Sequence, residues 1–130
     1  MSRLSSFLKA NVGEVESTKD VTISERFSEP CKIKLLSPKE YSKVQDSSTK
    51  IVGRKPVFST SAYSFELIKA ALVEPDLKSS ELQDSYGAMG EDELIDLMFT
   101  GVEFNNLLLE INNFNGLKKT DEERVEEAKN

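Results

Sequence analysis

Between Leu94 and Ile111 the sequence holds two helical segments that are apolar on nearly every side, and this limits the fold more than any other feature. Leu94, Ile95, Leu97, Met98 and Phe99 wrap around the first segment, and Leu107, Leu108 and Leu109 do the same in the second. A helix that is apolar all round must be covered all round. With only 130 residues the surface is large for the volume, so either several helices close over these two or a partner protein does. The length fits a single domain over residues 1–130.

The segments available to provide that cover change their period along the chain. Val21, Ile23 and Phe27 alternate with Thr22, Ser24 and Arg26, and Cys31, Ile33 and Leu35 resume the alternation after Glu29 and Pro30. A period of two predicts a β-hairpin or small sheet in the N-terminal third. Before it, Ser2 is placed to cap a helix over Arg3–Asn11 that Gly13 ends, with Leu4, Phe7, Leu8 and Val12 as a narrow stripe docked on the core or on a partner.

After the sheet the helical period takes over. Ser37, Pro38 and Glu40 make a capping box with proline in the first turn, opening a helix that carries Tyr41 and Val44 inward. The stretch 46–60 holds five serines and threonines with Gly53 and Pro56, which predicts an exposed, mobile loop with residual strand around Ile51 and Val52. Ser61–Val73 is apolar over most of a helix circumference and reads as the central buried helix, stopped by Glu74 and Pro75. A short helix under Asp76 or Ser79 runs through Leu82 to Tyr86 and ends at Gly87. Gly90 opens a helix to Phe99 whose Glu91, Asp92 and Glu93 sit at its positive end. Thr100 and Glu103 box the next one, which passes Phe104, Leu107, Leu108 and Ile111 and closes at Gly116. Residues 118–130 are expected to be a flexible acidic segment, with only Val125 and Ala128 to offer apolar contacts. The expected class is therefore α+β, mainly helical, with about five to six helices packed on a small sheet.

Charge and residue chemistry narrow the function. The formal net charge is −6, and it divides into 12 basic and 8 acidic residues over 1–73 against 5 basic and 15 acidic over 74–130. The acidic half repels phosphate backbones and the lysines of the basic half alternate with acids, so nucleic acid is not an expected partner. No stretch is long and apolar enough for a membrane span or a secretory signal, so no membrane association is expected. With no histidine, the usual proton shuttle and the commonest metal ligand are missing. The single cysteine, Cys31, has no internal disulfide partner and no histidine to activate it, which fits a buried strand thiol in a reducing cytoplasm. The Gly87–Gly90 loop contains no lysine and runs into three carboxylates, so it reads as a helix connector, not a phosphate cradle or calcium loop. No catalytic, metal or cofactor residues are expected. Partner contact is expected instead at Leu94, Ile95, Met98, Phe99, Phe104 and Leu108 on the two all-apolar helices.

Several segments, in order, resemble a known family. They are Leu4–Val12, Ser24-Glu25-Arg26-Phe27, Val73-Glu74-Pro75-Asp76-Leu77, Glu81-Leu82-Gln83-Asp84-Ser85-Tyr86-Gly87, Asn115-Gly116 and Glu127-Ala128-Lys129-Asn130. Together they are similar to the XkdN-like phage tail assembly chaperones, with the Pro-Asp-Leu and Leu-Gln-Asp-Ser-Tyr-Gly pieces the most specific. A tryptophan is expected in the second strand of that family, and here Cys31–Leu35 fills the place in a chain without tryptophan. The resemblance implies a non-enzymatic assembly factor that needs no cofactor, binds the tape measure protein and helps recruit tail tube subunits. It implies residence in the cytoplasm of the bacterial host and absence from the mature virion, and it leaves self-association open. The alternatives are a structural tail completion component and a small acidic protein-binding adaptor.

Overall fold

In the computed structural model, which describes residues 2–117, the N-terminal arm leads into a three-stranded antiparallel sheet. Strands β1 (Thr18–Val21) and β2 (Cys31–Lys34) pair from Thr18↔Lys34 to Val21↔Cys31, and β5 (Leu72–Glu74) joins the other edge of β2. The order β1-β2-β5 puts β2 in the middle, and its Ile33 is fully buried. The expected hairpin is present, but its first strand stops at Val21 instead of running to Phe27, because residues 22–30 leave the ladder as a connection.

Five α-helices and a second, two-stranded sheet complete the described residues. Helix α1 (Pro38–Ser47) starts in the expected capping box, with Ser37 Oγ accepting from Glu40 N–H and the Glu40 carboxylate accepting from Ser37 N–H. The stretch expected to be a loop is not one: α1 continues to Ser47, and β3 (Thr49–Val52) pairs with β4 (Lys55–Phe58). Gly53 and Arg54 make the two-residue turn with φ of 56° and 71°, the left-handed pair that a tight hairpin of the right twist requires. All eight strand residues are exposed.

Helix α2 (Thr60–Ala71) buries Leu67, Ile68 and Ala71, as expected of a central helix. It is shorter than its apolar pattern, since Leu72 turns extended and enters the sheet as β5. Helix α3 (Ser80–Tyr86) is capped by Ser79 and ends at Gly87 with φ 67°. Helix α4 (Glu91–Met98) places Glu91, Asp92 and Glu93 in its first turn, where they meet the positive end of the helix dipole. Helix α5 (Gly101–Asn115) has its capping box at Thr100 and Glu103 and its left-handed stop at Gly116.

Helix α5 lies against β1, β2 and α2, while α4 packs on α2 and α3. The buried apolar side chains form one cluster that runs from Val21 and Ile33 through Leu67 and Ile68 to Leu94, Leu107 and Ile111. Asparagines fasten α5 to the sheet side. Asn115 Oδ1 accepts from Leu36 N–H at 2.8 Å, and its Nδ2 donates to the carbonyls of Lys34 at 3.2 Å and Ile111 at 3.0 Å. Asn106 Nδ2 donates to the Ile23 carbonyl at 3.2 Å.

The expected first helix is replaced by two short 3-10 turns, Leu4–Phe7 and Lys9–Asn11. Ser6 Oγ and Asn11 Nδ2 donate to the Arg3 and Ser5 carbonyls, so side chains take acceptors that an α-helix would use. Leu4, Phe7, Leu8 and Val12 are exposed, not docked on the core. The acidic segment expected over 118–130 lies outside the described residues.

Candidate functional site

Where the connection 22–30 passes the ends of α3 and α4 it leaves an open apolar cleft of about 420 Å³. Its walls come from the stretch 26–31, from Glu74 and Pro75 and from Leu82 and Tyr86 of α3, with the buried Met98 and Phe99 at its floor; Glu29 and Glu74 bring two carboxylates to the otherwise mainly apolar lining. The sequence assembles these walls for local reasons. Ser79 caps α3 so that Leu82 and Tyr86, four residues apart, share one helix face. The Gln83 side chain fixes both ends of that helix, donating to the Leu77 carbonyl at 2.8 Å and accepting from Gly90 N–H at 3.3 Å.

The wall carrying Phe27 is held by an ion pair. Arg26 Nη2 and Nε reach the two carboxylate oxygens of Glu103 at 2.6 and 2.8 Å, and Nη2 also donates to the Met98 carbonyl at 2.8 Å. Glu103 is a buried acid whose carboxylate also accepts from Thr100 N–H, so one side chain caps α5 and anchors the connection. The Arg26 guanidinium beside it holds its pKa far below the usual carboxylate range. With Arg26 thus anchored, Phe27 meets Phe99 edge-on, ring centres 5.9 Å apart. Burial raises the Cys31 thiol above its ordinary pKa, as expected of an inward strand cysteine.

The six expected contact residues do not form one surface. Leu94, Ile95 and Met98 are buried at 0–3% exposure, and Phe99 is buried at 7%. Of these, Met98 and Phe99 reach the cleft floor, whereas Leu94 and Ile95 lie in the core and meet no solvent. Phe104 and Leu108 are half-buried on α5, and the Phe104 ring packs tilted against Phe65 of α2 with ring centres 5.2 Å apart. The apolar character of both helices is thus mostly satisfied inside the fold, by the sheet and α2, leaving Leu97, Val102 and Leu109 exposed. Phe27, Pro75, Leu82 and Tyr86 were absent from the expected contacts, because they come from three separate segments without a shared period. The signal that could have found them was the clustering of the Ser24–Phe27, Val73–Leu77 and Glu81–Gly87 motifs, all of which supply cleft walls.

A second, larger cleft of about 640 Å³ lies between α1, α2 and β5 and is lined mainly by charged residues, some of them paired. Lys34 pairs with Glu40 there, and Lys69 reaches Glu66 and Asp92 at 2.8 Å each. Among the described residues no group of three or more His, Cys, Asp or Glu side chains gathers to hold a metal ion, and no helix is long and apolar enough to cross a membrane.

The molecule is thus a small mixed sheet-and-helix fold with two open clefts, the larger lined mainly by charged residues and the smaller mainly by apolar ones. The comparisons with known proteins place it further. Residues 4–129 match the profile of the phage XkdN-like tail assembly chaperone proteins, and the chain belongs to that family. The fold is similar to the crystal structure of the protein YqbN, with a TM-score of 0.69 at 20% identity over 91% of this chain and 99% of that one. A comparison with curated proteins gives no match.

Proposed function

We propose that this tail assembly chaperone binds apolar helical segments of the tape measure protein in the cleft between Phe27, Leu82, Tyr86 and Phe99, and helps bring tail tube subunits to it. It acts in the cytoplasm of the bacterial host and leaves before the virion is complete. The observation that supports this reading is the origin of the cleft walls. Three motifs of the family resemblance converge on one apolar concavity that the fold leaves open. A long helical chain waiting for tube subunits exposes apolar faces, and a groove beside solubilising charge covers such a face reversibly without any cofactor.

Charging Phe99, which is in the core, would unfold the chain, so the test uses the cleft rim. Tyr86→Glu is expected to lose co-purification with the co-expressed tape measure protein, while Val102→Glu, exposed at 69% and outside the cleft, keeps it. An unchanged complex with a folded Tyr86→Glu protein would place the contact elsewhere. Purified tails are expected to lack the chain. Its presence there in stoichiometric amount would favour a structural tail completion component instead.

A further inference from the structure

The apolar cleft carries charge, and the charge left free in it has one sign. Arg26, Glu29 and Glu74 are the charged residues of its lining. The Arg26 guanidinium is committed to the Glu103 carboxylate and the Met98 carbonyl, so it is not free to meet a bound molecule. Glu29 and Glu74 are exposed, and among the described residues neither has an ion-pair partner. Lys32 stands opposite Glu74 across the β2–β5 ladder and makes no ion pair with it.

The surroundings reinforce that sign. Residues 79–117, which form α3, α4 and α5, contain acids and no cation. Of these acids, Glu81 and Asp84 sit on α3 within one turn of the wall residues Leu82 and Tyr86, and among the described residues they have no ion-pair partner either. Carboxylates set in an apolar wall focus their field into the cleft. A wholly apolar segment lying over Glu29 and Glu74 would strip water from them and give nothing back, and an acidic segment would add repulsion. A lysine or arginine bordering the apolar face of the segment removes both costs, because its stem lies along the apolar wall while its charge reaches the carboxylate.

We propose that the cleft selects basic amphipathic helices, whose apolar face fills the space between Phe27, Leu82, Tyr86 and Phe99 and whose bordering lysines or arginines pair with Glu29 and Glu74. This names the chemistry of the bound segment, and it rests on the reading of the cleft as the binding site. The apolar anchors supply the affinity, while the two carboxylates supply the choice among helices and a salt-sensitive association rate. Along a helical tape measure chain, apolar stretches bordered by cations are therefore held and those bordered by acids are passed over.

Two synthetic helical peptides test this on the full chain. They share one leucine face and differ only in carrying lysine or glutamate along its borders, and binding is followed by NMR of the labelled protein in low salt. The lysine peptide is expected to shift the resonances of Phe27, Leu82, Tyr86 and Phe99 and to bind at least about tenfold more tightly than the glutamate peptide. Glu29→Gln/Glu74→Gln is expected to weaken binding of the lysine peptide at least about threefold with unchanged circular dichroism. Glu93→Gln/Asp96→Gln, the same loss of charge at exposed positions of α4 outside the cleft, is expected to change it by less than about twofold. Equal affinity of the two peptides in the cleft overturns the selection by charge and leaves the cleft as the binding site. Equal losses in the two double variants also overturn it, because the preference is then the attraction of any basic peptide to an acidic protein. Shifts confined to residues outside the cleft overturn this proposal and the cleft reading together.

Discussion

Truncating Asn115 tests how α5 is fastened to the sheet. In Asn115→Ala the Leu36 N–H loses its acceptor, and the Lys34 and Ile111 carbonyls each lose a donor, with Leu36 and Lys34 both half-buried. A typical hydrogen bond contributes about 1 kcal/mol net, and the half-buried Leu36 N–H left without a partner adds a desolvation cost of similar size. Water reaches part of this site, and alanine is the better helix former by a few tenths of a kcal/mol. The expected loss is therefore about 2 kcal/mol. An unfolding entropy of about 2 cal/mol/K per residue turns this into a fall of about 7 °C in Tm for a chain of this size. Thermal unfolding followed by circular dichroism reads it directly. Asn113→Ala is the control, because Asn113 is exposed on the same helix turn and its side chain makes no hydrogen bond among the described residues, so its Tm should move by less than about 2 °C. Equal shifts in the two variants would refute the fastening role of Asn115.

Three further outcomes are expected. Glu103 ionises more readily in the folded than in the unfolded chain because of Arg26. Its contribution is complete above the ordinary value of 4.5 and drains away as pH falls below it, so Glu103→Gln should flatten the acid limb of the stability curve measured by urea unfolding between about pH 5 and 2. Cys31, buried and with a raised pKa, should resist iodoacetamide in the folded protein and react at the rate of a free thiol only in denaturant. Replacing residues 50–57 by a short glycine-serine turn should change Tm by no more than about 3 °C, because the hairpin strands bury nothing, whereas Leu107→Ala in the fully buried core should cost about 3 kcal/mol.

Much of the helical frame was legible because its signals are local. The boxes at Ser37–Glu40 and Thr100–Glu103 and the left-handed stops at Gly87 and Gly116 each depend on residues within four positions of one another. What escaped was decided by contacts between distant segments. Leu72 and Val73 continue a helical apolar pattern, yet they pair with the open edge of β2 as part of β5. The Gly53–Arg54 turn hid the second hairpin, since an arginine at positive φ is not a usual turn signal and the strands around it have no core to face. The N-terminal arm has the apolar stripe of a helix, but its serines and Asn11 bond locally to the backbone instead. The site divided in the same way. Apolar density along one helix marked Met98 and Phe99, which line the cleft, and Leu94 and Ile95, which lie in the core, alike, because density does not distinguish a core from a groove.

Titration of the isotopically labelled protein with helical fragments of the tape measure protein, followed by NMR, tests the cleft most directly. Binding there should shift the resonances of Phe27, Leu82, Tyr86 and Phe99 first and most, and should leave those of Val102 and Leu109 in place. Saturable binding whose shifts fall on the hairpin or on the outer face of α5, with the cleft resonances unmoved, would contradict the assignment of the cleft as the chaperone's binding site.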